Sequence, residues 1–337
     1  MDIRTAIAEL IARRDLPEEG VEAVVRAIMA GEASEAQIAG FLVALRMKGE
    51  RVEEIVGAAR AMRQHGTPVP VGRTVVDTCG TGGDMRHTFN ISTAAALIAA
   101  GAGLAVAKHG NRAMSGSVGG ADVLEALGVR IDFDAEHVAA CIEATGIGFL
   151  FAQAFHPAMR HVAPVRRELG IRTLFNLLGP LTNPAGAQRQ LLGVFARHWV
   201  EPLAQALGRL GSQRALVVHG EDGLDELSLT GPSHVAELRD GAVRTYSFTP
   251  DLVGLATCRV EDLAGGDAAA NAAIIRAILA GGATAGQRDI ALLNAGAALY
   301  VGDVAASIAA GVDAARRAVD SGEAQRRLDA LIEFTNR

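Results

Sequence analysis

The segment RTVVDTCGTGGDMRHTFNISTAAALIAAG, residues 73–101, decides the fold. Its first five residues are rich in β-branched side chains and predict a short strand, and residues 92–101 predict a helix that ends at a glycine. Between them, Gly80, Gly82 and Gly83 stand within four positions. Glycine costs roughly 0.5–1 kcal/mol relative to alanine in a regular element. The cluster therefore indicates either a tight turn or a ligand that approaches the backbone more closely than a Cβ allows.

The alternation of strand and helix continues along the chain. Further strands are predicted at LAVAKHG (104–110), GFLF (148–151), RALVVHG (214–220) and HVAELRDG (234–241). Further helices are predicted at 121–128 and 134–146. We expect an α/β fold in which a mostly parallel central sheet is covered by helices. Such sheets bind ligands where strands end and helices begin, and the glycine cluster lies at one of these junctions.

Residues 1–66 have a different pattern, because apolar residues recur there at helical spacing. Ser34 and Gln37 have the spacing of a capping box and predict a helix start. HGTPVPVG, residues 65–72, reads as a linker. Residues 159–186 interrupt the later alternation with helix-like periodicity, and we expect them to pack beside the N-terminal helices.

Composition excludes several classes of protein. The 337 residues are half hydrophobic but only 4% aromatic, which favours closely packed helices over a β-sandwich. The net charge of −6 argues against general attraction to nucleic acid or to an anionic membrane. The uncharged run 90–107 approaches the length of a membrane span, but Gly101 and Gly103 break it, and it reads as a buried helix, a turn and a buried strand.

The three cysteines, Cys79, Cys141 and Cys258, are far apart in sequence. They form no C-x-x-C pair, so we expect neither a disulfide framework nor a structural zinc site. Reduced thiols are typical of the cytoplasm, and we expect the chain to reside there. Cys79 lies beside the glycine cluster, but the sequence around it offers no base that would make it a catalytic thiol.

The glycine cluster and the start of the following helix predict an anion site. Backbone N–H groups that glycines expose, together with a helix N-terminus, bind phosphate well. A tight strand–helix turn without a ligand is the alternative, and the following polar cluster favours the phosphate site. The spacing matches neither the P-loop nor the G-x-G-x-x-G pattern, so an ordinary nucleotide-binding fold is not indicated. The donors that the polar cluster adds are Thr88, Asn90, Ser92 and Thr93.

Two further loops follow predicted strands. KHGNRAMSGSVGG, residues 108–120, places cations on a flexible loop and suits a phosphorylated ligand, although an ordinary surface loop is the alternative. HGEDGLDELSL, residues 219–229, gathers Asp222, Asp225 and Glu226. Carboxylates near a phosphate site suggest Mg²⁺, which one or two carboxylates and substrate phosphates usually hold. Taken alone, the acidic segment would be a solvated turn.

Several motifs, in order across nearly the whole chain, resemble the anthranilate phosphoribosyltransferase family. Each motif alone is modest, and together they are highly specific. They are GTGGD (80–84), NIST (90–93), KHGNR (108–112), ADVLEALG (121–128), HPAMR (156–160), V-R-x-x-L-G-x-R-T (165–173), N-x-L-G-P-L-T-N-P (176–184) and DE (225–226).

The resemblance implies a fold, an activity and an assembly. The family transfers the phosphoribosyl group of 5-phosphoribosyl 1-pyrophosphate to the amine of anthranilate in tryptophan biosynthesis. Its nucleoside-phosphorylase-like fold joins a small all-helical domain, here residues 1–66 with about 167–185, to a larger α/β domain, here 73–166 and 186–337. The resemblance implies a hinge near 65–72, a homodimer through the helical part and Mg²⁺ as cofactor.

The resemblance also implies site residues. Asp225, Glu226 and Ser92 would hold Mg²⁺. The anthranilate site would comprise Gly80, Asn111, His109, His156, Arg166 and Pro180. The resemblance assigns no general base and leaves His109 open as a proton acceptor. Phosphoribosyl pyrophosphate would contact Gly80, Gly83, Asp84, Thr88, Asn90, Ile91, Ser92, Thr93, Lys108, His109, Gly110, Asn111, Arg112, Ala113, Met114, Ser115, Gly116 and Gly120.

The second loop departs from the family pattern. Family members often read S-S-x-x-G-S-A-D, whereas this chain has Ser115-Gly116 and then Gly119-Gly120 before Ala121-Asp122. Two hydroxyl donors are therefore missing, and backbone N–H groups would have to replace them. Two alternatives stay open: a pyrimidine-nucleoside phosphorylase of the same fold, and a non-catalytic relative that binds nucleic acid, against which the net charge argues.

Overall fold

The computed structural model describes residues 1–113 and 118–337. The chain begins with four helices, α1 (Ile3–Ile11), α2 (Glu18–Met29), α3 (Glu35–Lys48) and α4 (Val52–His65). Ser34 and Gln37 form the predicted capping box at the start of α3. The apolar face of this helix is buried against its neighbours, because Phe41, Leu42 and Leu45 have no exposed surface. The helical interpretation of residues 1–66 is therefore confirmed.

Strands and helices then alternate as far as residue 220, and two further strands and four helices complete the chain. The strands are β1 (Val76–Gly80), β2 (Val106–Gly110), β3 (Ile147–Phe151), β4 (Arg189–Gly193), β5 (Arg214–Gly220), β6 (Ser233–Arg239) and β7 (Ala242–Phe248). The helices are α5 (Ile91–Gly101), α6 (Gly120–Ala126), α7 (Ala135–Thr145), α8 (Ala152–Phe155), α9 (Ala163–Leu169), α10 (Phe175–Leu178), α11 (Val200–Arg209), α12 (Ala268–Leu279), α13 (Ala285–Val301), α14 (Ile308–Asp320) and α15 (Glu323–Thr335).

In the described part of the chain the strands form one seven-stranded sheet of order β3-β2-β1-β4-β5-β6-β7. The first five strands in this order are parallel, and β6 and β7 extend the sheet as antiparallel strands. Gly80 pairs with Gly193 at the ends of β1 and β4. The carboxyl ends of the parallel strands therefore meet at one edge of the sheet, which is where such folds bind ligands.

The two faces of the sheet have separate cores. One face packs against α5 and α13, and its apolar cluster includes Leu97, Val106 and Leu293. The opposite face contributes Leu192 to a cluster that also contains the N-terminal helices and α11. Segment 159–186 contributes Val162 and several further residues to this second cluster, beside the N-terminal helices as expected.

The uncharged run 90–107 is a helix, a turn and a strand, because α5 ends at Gly101 and β2 begins at Val106. Among the described residues, no helix combines the length and apolarity needed to cross a bilayer. All three cysteines are free thiols: Cys79 and Cys141 are buried, whereas Cys258 is partly exposed.

Candidate active site

The glycine cluster forms a left-handed loop at the end of β1. Gly82 has a φ of +65° and Gly83 a φ of +78°, which L-residues with a Cβ rarely adopt. The loop is tied to β4, because the N–H of Thr81 donates to the carbonyl of Gly193 at 2.9 Å. The N–H of Gly82 donates to Oδ2 of Asp225 at 2.9 Å. A Cβ at Gly80 would lie 2.4 Å from Oδ2 of Asp225, so the cluster needs glycine both for the turn and for the close approach of the acidic segment.

Helix α5 begins directly after this loop. Asn90 caps it by accepting the N–H of Thr93 at 3.1 Å, and its own N–H donates to Oδ1 of Asn271 on α12 at 2.7 Å. Oγ1 of Thr93 is buried and has no partner among the described residues. Ile91 is buried, and its N–H donates to the carbonyl of Phe89 at 2.8 Å. The helix start thus carries one unused hydroxyl, that of Thr93, at a helix N-terminus.

Lys108 lies beneath this helix start. Its Nζ donates to the carbonyl of Thr78 at 2.6 Å and to Oγ of Ser92 at 3.0 Å. The side chain is buried, and burial lowers the pKa of Lys108, an effect that the negative charge of Asp77 opposes. The ammonium group is therefore held by the protein itself and positions the hydroxyl of Ser92.

Asp77, which the sequence analysis did not single out, supports the end of β2. It has no exposed surface, and its Oδ1 accepts the N–H of His109 at 3.1 Å. Burial raises the pKa of this carboxyl group. A charged residue within a short apolar strand signals such a role, because burial requires a partner for it.

Asp84, Asp225 and Glu226 bring negative charge together beside the glycine loop. Burial raises the pKa of Asp225 to about 8, and the nearby Asp84 contributes to this rise. Burial also raises the pKa of Glu226, and the charge of Asp225 adds to this effect. Carboxylates that are crowded and buried in this way stabilise a cation between them. Asp222 has another role, because its Oδ2 accepts hydrogen bonds from Ser228 at 2.7 Å and Thr230 at 2.6 Å and so fixes the turn.

The donor set fits Mg²⁺ only with help from a ligand. Within residues 1–113 and 118–337, no group of three or more His, Cys, Asp or Glu side chains could hold a metal on its own. Mg²⁺ is usually bound by one or two carboxylates together with waters and substrate phosphates. Asp225 and Glu226 next to the glycine loop match the protein's share of this requirement.

The second predicted loop is clamped at its base. Arg112 donates to Oδ1 of Asp122 at 2.9 Å and to both carboxylate oxygens of Glu125 at 2.5 and 2.8 Å. These partners raise the pKa of Arg112 and neutralise its charge. Oδ2 of Asp122 also accepts the N–H groups of Ala113 and Gly119. Met114, Ser115 and Gly116, which were predicted to contact the pyrophosphate, lie outside the described residues.

Other predicted residues of this loop face neighbouring elements. A Cβ at Gly120 would lie 3.5 Å from Oγ1 of Thr93, so the start of α6 adjoins the start of α5. A Cβ at Gly110 would lie 2.8 Å from the ring of Phe149. Oδ1 of Asn111 accepts the N–H of Arg112 and a hydrogen bond from Gln153. Thr88 pairs with Ala264 in an isolated bridge.

His109 and His156 lie together on the other side of the β2 end, with ring centroids 5.2 Å apart. Nδ1 of His109 donates to the carbonyl of Gly179 at 3.1 Å, so its proton is on that nitrogen. Burial lowers the pKa of His109 to about 3, and burial lowers the pKa of His156 to about 4. Both rings are therefore neutral at pH 7. The carbonyl of Pro180 accepts a hydrogen bond from Gln190 at 2.7 Å.

Arg166 lies on α9, and its guanidinium lies 5.9 Å from the centre of the Phe175 ring. Burial lowers the pKa of Arg166. In the described part of the chain, no carboxylate comes within 4.0 Å of it. A half-buried guanidinium in this state suits a carboxylate ligand, which it can bind bidentately.

Comparison with known families divides the chain as the fold does. The helical bundle domain of a glycosyl transferase family matches residues 4–66, and the a/b domain of that family matches residues 72–325. Two curated relatives, both named anthranilate phosphoribosyltransferase, match over the full length. The protein of Chloroflexus aggregans is 56% identical over 98% of each chain, and that of Thioalkalivibrio sulfidiphilus is 54% identical over 99% of each chain.

Solved structures give the same result. The anthranilate phosphoribosyltransferase of Thermus thermophilus superposes with a TM-score of 0.93 at 50% identity, over 98% of this chain and 99% of that one. The Saccharomyces cerevisiae enzyme in complex with PRPP and Mg superposes with a TM-score of 0.91 at 27% identity, over 99% and 98%. On sequence, domain content and fold, the chain belongs to the anthranilate phosphoribosyltransferase family.

Proposed function

We propose that this enzyme transfers the phosphoribosyl group of 5-phosphoribosyl 1-pyrophosphate to the amine of anthranilate. The products are N-(5-phosphoribosyl)anthranilate and pyrophosphate, and the reaction belongs to tryptophan biosynthesis. One observation carries the proposal: the glycine loop, the start of α5 and the Asp225–Glu226 pair converge at the carboxyl edge of the sheet. This edge combines donors for a diphosphate with ligands for its metal.

Phosphoribosyl pyrophosphate would bind along the glycine loop and the start of α5. Gly83, Asp84 and Asn90 would contact it from the first loop, and Thr93 would use its unpaired hydroxyl. Lys108 would not contact this substrate directly but would position the hydroxyl of Ser92, to which its Nζ donates. Because Arg112 is already neutralised by Asp122 and Glu125, we assign it to the base of the second loop and not to direct charge pairing.

Asp225, Glu226 and Ser92 would hold Mg²⁺, directly or through water. The metal, when bound, supplies positive charge for the departing pyrophosphate. The chain's own contribution is to aim N–H groups of the glycine loop at the place where this charge grows. These donors stabilise the transition state more than the ground state, which is what increases turnover.

Anthranilate would lie between Arg166, Asn111 and the His109–His156 pair. Arg166 would bind its carboxylate, and the neutral rings would line its path. An aromatic amine is nucleophilic once neutral, so a strong base is not required, and the low pKa of His109 makes it a weak proton acceptor. We therefore propose that the residues around anthranilate mainly orient it and exclude water from the reaction. Such positioning can contribute about 7–11 kcal/mol to lowering a barrier.

Product fluorescence tests this function. Anthranilate, phosphoribosyl pyrophosphate and Mg²⁺ are supplied together and then omitted one at a time, and we expect product only with all three. Product without phosphoribosyl pyrophosphate or without anthranilate would contradict the proposal. Phosphorolysis of thymidine or uridine would instead indicate a nucleoside phosphorylase. A gel shift with single-stranded DNA would indicate a nucleic-acid-binding relative.

We propose residues 65–72 as the hinge between residues 1–66 with 167–185 and the α/β remainder. Backbone contacts support this: the N–H of Val69 donates to the carbonyl of Pro184 at 2.9 Å, and that of Thr67 to Phe155 at 2.8 Å. The linker is thus hydrogen-bonded to Phe155 in the α/β part and to Pro184 at the end of segment 167–185. Crystal structures with and without both substrates test this, and we expect backbone rotation at 65–72.

We further propose a homodimer through the helical domain, in the cytoplasm and without nucleic acid. Ile11 on α1 and Met47 on α3 are 71% and 65% exposed, an apolar surface that a second copy would cover. Three free thiols support the reducing compartment. Light scattering on the wild type and on Met47→Glu tests the dimer. We expect the wild type to be a dimer and Met47→Glu to be a monomer, because the substitution places a charge in the interface. A monomeric wild type would contradict the proposed dimer.

A further inference from the structure

Arg172 connects the segment after α9 to the glycine loop. Its guanidinium donates to the carbonyl of Gly83 and lies 4.3 Å from the centre of the Phe195 ring. Phe195 follows β4, and its N–H donates to Oγ1 of Thr81 at 3.0 Å. Arg172 therefore contacts both the loop and the residue that supports the start of the loop.

The hydrogen bond to Gly83 has a directional consequence. A planar trans peptide points its C=O and the following N–H in opposite directions. Once Arg172 fixes the carbonyl of Gly83, the N–H of Asp84 is fixed the opposite way. Because glycine adopts positive and negative φ about equally well, peptides beside Gly82 and Gly83 rotate at little cost unless something holds them. Arg172 supplies that constraint.

The charge of Arg172 is also uncompensated. Within residues 1–113 and 118–337, no carboxylate lies within 4.0 Å of its nitrogens, whereas Arg112 has two. The flat guanidinium is held by the aromatic face of Phe195, which a lysine ammonium would not match in shape. The guanidinium therefore fixes the Gly83 carbonyl from the side opposite to the N–H of Asp84, and its uncompensated charge adds to the positive potential around the loop.

We propose that Arg172 is a positioning residue that locks the Gly83–Asp84 peptide so that its N–H faces the diphosphate. The proposal rests on the function proposed above and adds a residue to it. Arg172 acts through the loop, and its contact with the Phe195 ring holds its side chain in place. Arg166 and Arg172 lie in the same segment, 159–186, which would therefore contribute to the binding of both substrates.

Calorimetric binding of inorganic pyrophosphate with Mg²⁺ tests this without turnover. We expect Arg172→Gln to weaken binding by about tenfold or more, the usual value of a charge-assisted hydrogen bond. Arg172→Lys should recover only part of it. Arg167→Gln removes the same charge from an exposed neighbour and should leave binding unchanged. In steady-state rates, KM for phosphoribosyl pyrophosphate should rise in Arg172→Gln while KM for anthranilate stays constant.

A double-variant cycle separates positioning from simple attraction. Phe195→Leu should weaken pyrophosphate binding in the wild type and have little further effect in Arg172→Gln, because the two act as one unit. Full recovery by Arg172→Lys, or additive effects of the two changes, would overturn the positioning role. If circular dichroism shows that Arg172→Gln does not fold, the same cycle is measured with Arg172→Lys, Phe195→Leu and their double variant. Additive effects of these two changes on pyrophosphate binding would likewise overturn the positioning role.

The outcome also distinguishes this inference from the proposed function. A wild type that binds no pyrophosphate and forms no product refutes the function itself. A wild type that does both, with Arg172→Gln binding pyrophosphate equally well, refutes only the role of Arg172.

Discussion

At the scale of single residues, the carboxylate pair beside the glycine loop allows a direct test. Changing Asp225→Asn together with Glu226→Gln should lower turnover on the order of 10²-fold or more, because the change removes the two carboxylates proposed to hold Mg²⁺. Folding should not suffer, since the change removes buried like charges. Rates at limiting Mg²⁺ and thermal unfolding measure both effects, and Mg²⁺ should no longer raise the melting temperature.

Glu221→Gln is the matched control for this pair, because it lies in the same acidic segment with its side chain 52% exposed. It should behave as the wild type. Wild-type turnover of the double variant at limiting Mg²⁺ would remove both carboxylates from the metal site.

Arg166 provides a second test at this scale. Arg166→Ala should raise KM for anthranilate by roughly 10–100-fold, because a charge-assisted pair with the carboxylate is worth about 1.5–3 kcal/mol. Arg166→Lys should recover part of it, since an ammonium cannot bind bidentately. The same steady-state series on Arg167→Ala is the control. An unchanged KM in Arg166→Ala would place anthranilate elsewhere.

Site residues differ in how well the sequence alone predicts them. The glycine loop and the acidic pair follow predicted strands, so their places at the sheet edge could be anticipated. Arg172 and Asn271 were missed, because their roles depend on contacts with residues 89 and 181 positions away in sequence. Only the fold brings such partners together.

At the scale of elements, the contact between β4 and the acidic segment is unusually close. A Cβ at Gly193 would lie 1.6 Å from the carbonyl oxygen of Asp225. Gly193→Ala should therefore displace the carboxylates from the loop, lower stability by about 1–3 kcal/mol and abolish stabilisation by Mg²⁺. Urea unfolding with and without Mg²⁺ measures this.

Gly231→Ala is the control for the same chemistry, because a Cβ at this position would have no described atom within 4 Å and the φ of Gly231 is not positive. Its unfolding and its Mg²⁺ response should match those of the wild type. A Gly193→Ala protein that Mg²⁺ still stabilises would show that β4 does not position the acids.

Strand β4 and strand β7 were not predicted. RQLLG is short and follows a stretch with helix-like periodicity, so its strand character depends on pairing with β1 and β5. HVAELRDG was predicted as a strand, but its antiparallel direction was not. The signal was present: Asp240 and Gly241 both have positive φ, 52° and 76°, in the two-residue turn between β6 and β7. An Asp-Gly pair favours this hairpin turn.

At the scale of the whole molecule, the buried imidazoles link stability to acid. The folded pKa values of His109 and His156, about 3 and about 4, lie below the ordinary 6.5. Below pH 6.5 the unfolded chain binds more protons than the folded one, so the unfolding free energy falls as pH decreases toward 4. Denaturant unfolding from pH 7 to 4.5 should show a shallower loss in His109→Gln than in the wild type.

His87→Asn removes an exposed imidazole and is the control for this pH series. Its slope should equal that of the wild type. Buried carboxylates with raised pKa act in the opposite direction, but they are present in all three proteins and cancel in the comparison. Equal slopes for His109→Gln and the wild type would mean that His109 is not held neutral.

The architecture itself was largely predictable, because alternating elements specify a covered parallel sheet and helical spacing specifies the N-terminal bundle. The order of the strands was not. Placing β4 between β1 and β5 requires the connection through segment 159–186, which the pattern marks only as an interruption.

The unequal burial of the three thiols has a practical consequence. Cys79 and Cys141 are shielded, and burial raises the pKa of both, so neither offers a thiolate to an alkylating reagent. Burial also raises the pKa of Cys258, so its thiolate forms at alkaline pH. Because this residue is partly exposed, a reagent can reach it there. Native protein should thus accept one maleimide and denatured protein three, by mass spectrometry. A dye on Cys258 would then follow substrate-driven movements in real time without any engineered cysteine.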